Sequence, residues 1–213
     1  RPPRSTLFPY TTLFRSLIGG MVIVLGDDPG AHSSQNEQDN RHIAKLSYTP
    51  VLEPSSPKEV YEYFKAAAAL SVERKMPVIL RLTTHTCHQK ELVDFAGWEP
   101  QLFDKTPKFN RLNGPYIPIT SAVFPMKRRA IQRLKDVAAD AKIRQLNTFI
   151  NNKSRTGIIT AGTTFLSVMD VLNGVENRPD ILKLALVYPL QMDEIVNFLN
   201  SHDEVKILEE LDD

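Results

Sequence analysis

The densest set of chemically useful side chains lies at residues 26–41, GDDPGAHSSQNEQDNR. The stretch supplies two hydroxyls (Ser33, Ser34), four amides (Gln35, Asn36, Gln38, Asn40), one imidazole (His32) and one guanidinium (Arg41). Such a set suits hydrogen bonding to a carboxylate or a phosphate, with Arg41 able to grip it through two parallel N–H bonds. A loop of this length without structure of its own is more often functional than a plain connector. The alternative is a surface loop that satisfies its own hydrogen bonds. Asp27 and Asp28 are adjacent, so on extended backbone they point to opposite sides and make a poor acid–base pair. Asp28-Pro29-Gly30 reads instead as a turn.

Three weaker signals follow. Thr83-Thr84-His85-Thr86-Cys87-His88 gathers two imidazoles and a thiol, but the spacing matches no established zinc site, and nothing orients a Cys–His nucleophile pair. Ala161-Gly162-Thr163-Thr164 could present backbone N–H groups to an anion at a helix start. It lacks a full glycine-rich phosphate fingerprint and reads better as a structural turn. A basic helix over 126–146, with Ile131, Leu134, Val137, Ala138 and Ala141 at helical spacing, reads as an amphipathic connector.

The elements that must position these groups alternate between strand and helix. Residues 20–25 form an apolar, β-branched run of the kind buried on both faces of a parallel sheet. Ser56 is the expected N-cap of a helix reaching about Lys75, with Pro57 at its first position and Glu59 completing a capping box. Residues 78–82 are the next strand, so 20–82 is a β–α–β unit. Residues 91–125, rich in Pro, Asn and Lys, read as a linker. A second α/β unit follows, with strands at 157–160, 182–186 and 205–208 and helices at 165–172 and 192–199. Alternation of this kind predicts parallel sheets covered by helices. The expected organisation is therefore a first unit over 17–90, a linker and connector helix over 91–154, and a second unit over 155–213.

Composition excludes several classes of function. There are 26 Lys and Arg against 25 Asp and Glu, a net charge of +1, which offers no electrostatic case for nucleic acid or an anionic membrane as partner. The longest apolar runs are strand length, far short of a membrane span. The single cysteine, Cys87, allows no internal disulfide and no Cys-based zinc or iron–sulfur site, and a cytoplasmic setting fits. Residues 1–16 lack periodicity, a continuous apolar core and a small-residue cleavage site, so they are no export signal. Residues 6–16, TLFPYTTLFRS, resemble a translated sequencing adapter, and 1–16 is expected to be foreign to the fold.

Residues 19–41, GGMVIVLGDDPGAHSSQNEQDNR, resemble the signature of the alpha subunit of indolepyruvate–ferredoxin oxidoreductases, enzymes dependent on thiamine diphosphate. Pro50-Val51-Leu52-Glu53-Pro54-Ser55, residues 77–84, residues 157–162, Tyr188-Pro189-Leu190 and Glu209-Glu210-Leu211-Asp212 continue the resemblance in order. It implies an α/β fold of two incomplete parallel-sheet units: the latter half of a pyrimidine-binding domain over 17–90 and a transketolase C-terminal-like domain over 155–213. It implies oxidative decarboxylation of an aryl 2-oxoacid such as indolepyruvate. The complete enzyme would use thiamine diphosphate with Mg and 4Fe–4S clusters. Coenzyme A would take the acyl group, ferredoxin the electrons, and a beta subunit would be the partner chain. A related enzyme for pyruvate or 2-oxoglutarate, and a noncatalytic α/β interaction domain, are the alternatives. The resemblance places His32, Ser33, Ser34, Gln35, Asn36 and Arg41 near substrate or cofactor. Arg41 corresponds loosely to an arginine that contacts the substrate carboxylate in related pyruvate enzymes. Neither the glutamate that activates the aminopyrimidine nor the diphosphate motif and cluster cysteines has a counterpart here, so the catalytic residues are unknown and the chain alone is expected to be inactive.

Overall fold

A computed structural model describes residues 20–95 and 120–211. The first sheet is built around β3 (Pro77–Thr83), with β1 (Met21–Asp27) parallel on one side and β2 (Val51–Leu52) parallel on the other. The register sets Met21 opposite Pro77 and Asp27 opposite Thr83. Between β1 and β2 the chain forms α1 (Arg41–Ser47), and between β2 and β3 it forms α2 (Pro57–Arg74). Both sheet faces are covered, as strands with unbroken apolar runs require. Leu52, Val78 and Leu80 face one side and pack with Tyr63, Ala67 and Leu70 of α2. Val51 and Ile79 face the other and pack on Ala44 of α1. The short α3 (Thr84–His88) leaves the end of β3, capped by Thr83 and Thr86 reciprocally.

Helix α4 (Thr120–Ala138) begins earlier than the expected basic helix and contains Pro125. The end of the expected linker is thus helical, while 96–119 lies outside the described residues, as do 1–19 with the adapter-like segment. The expected helix to 146 also breaks, because Asp140 caps a separate turn, α5 (Ala141–Arg144), and pairs with Arg74 at 2.7 Å. Leu134, Val137 and Ile143 are buried in the first core, so α4 and α5 are part of that unit's packing and no free-standing connector.

The second sheet has the order β4 (Thr148–Ile150), β6 (Asp180–Leu184), β5 (Thr156–Ala161), β8 (Glu204–Leu208). β5 runs parallel to β6 and β8, and β4 closes the edge antiparallel to β6. Alternate side chains again serve two faces. Ile159, Leu182 and Leu184 pack on Ile195 and Phe198 of α7 (Met192–Asn200), and Ile158 and Ile181 on Val168 of α6 (Thr164–Val171).

The expected strand over 182–186 proves to be two strands in different sheets. It stops at Leu184, and β7 (Leu186–Tyr188) pairs antiparallel with β2 of the first sheet. Ala185 is the crossing point, because its N–H donates to Asn147 Oδ1 (2.8 Å) and its carbonyl accepts from Glu53 N–H (2.9 Å). With both groups engaged outside a ladder, the strand cannot continue. The two α/β units therefore share a strand connection and a buried joint. Among the described residues no helix is long and apolar enough to cross a membrane.

Candidate functional site at the joint of the two units

Asp27 and Asp28 diverge at the end of β1, as alternation demands. Asp28 is buried and turns toward the polar loop, where its carboxylate accepts from the backbone N–H groups of His32, Ser33 and Ser34. Burial raises its pKa, but those donors and the Ser34 hydroxyl outweigh it and hold the carboxyl down at about 2. Its carbonyl accepts from Ala31 and Gln38, and Glu37 accepts from Gly30 N–H, so the loop is folded around one carboxylate. Ser34 Oγ donates to the Asn36 carbonyl, and the His32 ring meets His85 edge-on with centroids 5.3 Å apart. Cys87 is exposed on α3.

Asp27 turns the other way and is fully buried. It accepts from the backbone and side-chain amides of Asn40 and from Arg81 Nε at 2.6 Å. Arg81, a lone charge in the apolar strand β3, is 1% exposed. Its Nη1 donates to Glu53 Oε1 at 2.7 Å and lies 3.5 Å from Glu210 Oε2. Asp39 Oδ1 stands 3.9 Å from Arg81 Nε. Arg81 thus joins strands β1, β2 and β3 to the segment after β8. The acids facing it keep its proton on, raising its pKa, although burial alone would lower it.

Arg41 opens α1 on the same side. Its guanidinium makes a forked pair with Asp39 (2.6–3.0 Å) and donates to the Glu210 carbonyl (2.6 Å). The structure therefore separates the loop residues. Arg41 faces the second unit, while His32, Ser33 and Ser34 are gathered around Asp28 near α3.

Sequence reasoning missed Glu53, Arg81, Lys183 and Glu210. Lys183, the one basic residue of β6, is 0% exposed. Its ammonium donates to Ser55 Oγ (2.8 Å), pairs with Glu59 and lies 4.8 Å from the centre of the Phe165 ring. Glu59 consequently departs from the expected capping box. Ser56 Oγ accepts from Glu59 N–H, but the Glu59 carboxylate accepts from Ser55 N–H instead of that of Ser56. The available signal was one basic residue inside each central apolar strand, since a charge there must find a buried partner.

The Ala161–Thr164 turn is structural in a specific sense. Gly162 has φ +53° and no room for a Cβ beside Glu53 Oε1, and Thr163 Oγ1 donates to Glu210 Oε1 at 3.1 Å. Two carboxylates of this chain thus lie against the turn, so it offers no anion site. Beside it opens a cleft of about 500 Å³ between the units. Val187, Leu190 and Ile207 give it apolar walls, and Asp39, Arg41, Glu53, Glu209 and Glu210 line its polar part.

No family model matches the chain. It is 35% identical over 199 residues to the indolepyruvate oxidoreductase subunit IorA of Methanothermobacter marburgensis, covering 91% of this chain and 31% of that protein. It is 34% identical over 208 residues to IorA of Methanothermobacter thermautotrophicus, covering 95% and 33%, and 32% identical over 199 residues to IorA of Archaeoglobus fulgidus, covering 91% and 31%. The chain spans about a third of the length of these curated relatives. Among solved structures it superposes on 2-oxoglutarate:ferredoxin oxidoreductase from Magnetococcus marinus with a TM-score of 0.66 at 14% identity, covering 95% of this chain and 43% of that one. That protein was solved with 2-oxoglutarate, coenzyme A and succinyl-CoA bound, and at this identity the likeness shows a shared fold.

Proposed function

We propose that the chain, similar over 91% of its length to IorA subunits, is a segment of the alpha subunit of an indolepyruvate–ferredoxin oxidoreductase. The observation that carries this reading is the match to six IorA relatives at 31–35% identity along nearly the whole chain. The proposed reaction of the complete cytoplasmic enzyme is oxidative decarboxylation of an aryl 2-oxoacid, with the acyl group passing to coenzyme A and two electrons to ferredoxin. Its partner chain is the beta subunit. Thiamine diphosphate with Mg would supply the carbanion chemistry and 4Fe–4S clusters the electron path.

The residues described here fit neither group by themselves. One exposed cysteine cannot provide four thiolates, and among the described residues no cluster of His, Cys, Asp or Glu is set for a metal. The role assigned to this segment is therefore positioning: Arg81 and Lys183 lock two sheets together, the joint carries Arg41, and the part of the loop folded around Asp28 carries His32, Ser33, Ser34, Gln35 and Asn36, all of which we place near substrate or cofactor. The test is the complete alpha subunit copurified with its beta subunit. Indolepyruvate should drive coenzyme A-dependent reduction of ferredoxin faster than pyruvate or 2-oxoglutarate does. Preference for either small 2-oxoacid would replace the substrate assignment, and no activity with any of the three would overturn the reading.

A further inference from the structure

Five carboxylates converge where the two units meet. Asp27 comes from β1, Asp39 from the polar loop, Glu53 from the end of β2, and Glu209 and Glu210 from the segment after β8. Facing them are three fixed cations, Arg81 of β3 and Arg41 and Lys45 of α1, with His42 beside them. Glu209, Lys45 and His42 are exposed, and among the buried and half-buried groups the four carboxylates of Asp27, Asp39, Glu53 and Glu210 still face only the two guanidinium groups of Arg81 and Arg41. Glu53 is 2% exposed and shares the Arg81 Nη1 group with Glu210. Glu53 Oε2 and Glu210 Oε2 are buried without a hydrogen-bond partner, as is Arg81 Nη2, which reaches neither of them, while Glu53 Oε1 lies under Gly162 of the second unit. A buried acceptor with no donor is costly, and a carboxyl that takes up a proton becomes a donor itself.

We propose that Glu53 is a proton-operated key between the two α/β units. Protonated, it relieves the excess of negative charge, and the Gly162 turn and Glu210 seat against it. Ionised, it adds a carboxylate to a region already short of cations, and the Gly162 turn and the segment of Glu209 and Glu210 move off, widening the cleft. The burial of Glu53 pushes its pKa up more than Arg81 and Arg41 pull it down, and Glu210 and Asp39 push the same way. The sign follows from linkage: the closed joint binds a proton that the open joint releases. Closure is then fully favoured below the ordinary value of 4.5, weakens as pH rises above it, and levels off once the raised value is passed.

Hydrogen exchange of the whole chain across about pH 5 to about pH 8, corrected for the intrinsic rate at each pH, reads this directly. Amides of residues 162–166 and 209–211 should lose protection relative to amides of β3 by about tenfold per pH unit within the window. Glu53→Gln, which keeps the shape and cannot ionise, should show no such slope. Glu210→Gln should narrow the window, because one carboxylate that raises Glu53 is gone. A wild-type joint whose relative protection is constant across this range, or a Glu53→Gln slope equal to wild type, overturns the proposal. If Glu53→Gln fails to fold, an unchanged window in Glu210→Gln overturns it equally.

Discussion

Gly162 of the second unit rests directly on Glu53 of the first, with no space between them for a methyl group. At φ +53° its backbone also occupies the left-handed region that L side chains avoid. Gly162→Ala should therefore destabilise the chain by about 1–3 kcal/mol through overpacking alone. Thermal unfolding checks this, and an unchanged midpoint would mean that the turn can shift away from Glu53 without loss.

Arg81 balances Asp27 and Glu53, both buried with it. Arg81→Met leaves the buried Asp27 carboxylate without its cation and Glu53 Oε1 without its donor, and should cost about 3–5 kcal/mol. Arg81→Lys should recover only part, because an ammonium cannot offer separate N–H groups to Asp27 and Glu53 in that fixed fork. Chemical denaturation at neutral pH ranks the three proteins. Equal stability of the methionine variant would show that the carboxylates rearrange to water.

Asp28 organises the polar loop as an acceptor, with its carboxyl held at about 2 instead of 3.8. A depressed acid contributes stability that is present above its unfolded value and lost as pH falls through the folded one. The loop should therefore keep its order at pH 4 and lose it only near pH 2. Exchange of the His32, Ser33 and Ser34 amides reads this, and Asp28→Asn should unprotect the same amides at every pH.

His202 is buried between α7 and Asp180, with Nε2 3.1 Å from the Asp180 carboxylate and Nδ1 2.7 Å from the Phe198 carbonyl. The Phe198 carbonyl, then Asp180, raise its pKa above 6.5 against burial. Its stabilisation is complete below 6.5 and is lost as pH rises through the folded value. An NMR titration should find the imidazolium persisting above pH 6.5, and Asp180→Asn should bring its midpoint down.

Arg41 distinguishes substrate binding from scaffolding. Its fork is filled by Asp39 and the Glu210 carbonyl, so Arg41→Ala should lower the thermal midpoint of this chain. In the complete enzyme, if it also grips the 2-oxoacid carboxylate, kcat/KM should fall by about ten- to a hundredfold, the equivalent of about 1.5–3 kcal/mol, with partial rescue by Lys. A lower midpoint with wild-type kcat/KM would assign Arg41 to the joint alone.

Much of the fold was legible because it depends on local pattern. The apolar runs at 21–25, 78–82 and 157–160 are strands, Ser56-Pro57 starts α2, and the alternation of elements produces two helix-covered sheets. The divergence of Asp27 and Asp28 followed from strand alternation alone. What sequence pattern could not convey is which distant groups meet. Residues 182–186 read as one apolar strand, yet Ala185 spends its hydrogen-bonding groups on Asn147 and Glu53, and the run serves two sheets. Arg81 and Lys183 were visible as single basic residues in apolar strands, but their partners are distant in sequence: Asp27 and Glu53 for Arg81, with Glu210 of the other unit beside them, and Glu59 of the other unit for Lys183. Periodicity is a property of neighbours along the chain and settles which face of an element is buried. The pairing of buried charges is settled by desolvation, which forces each ion toward whatever counter-ion the completed packing brings within reach.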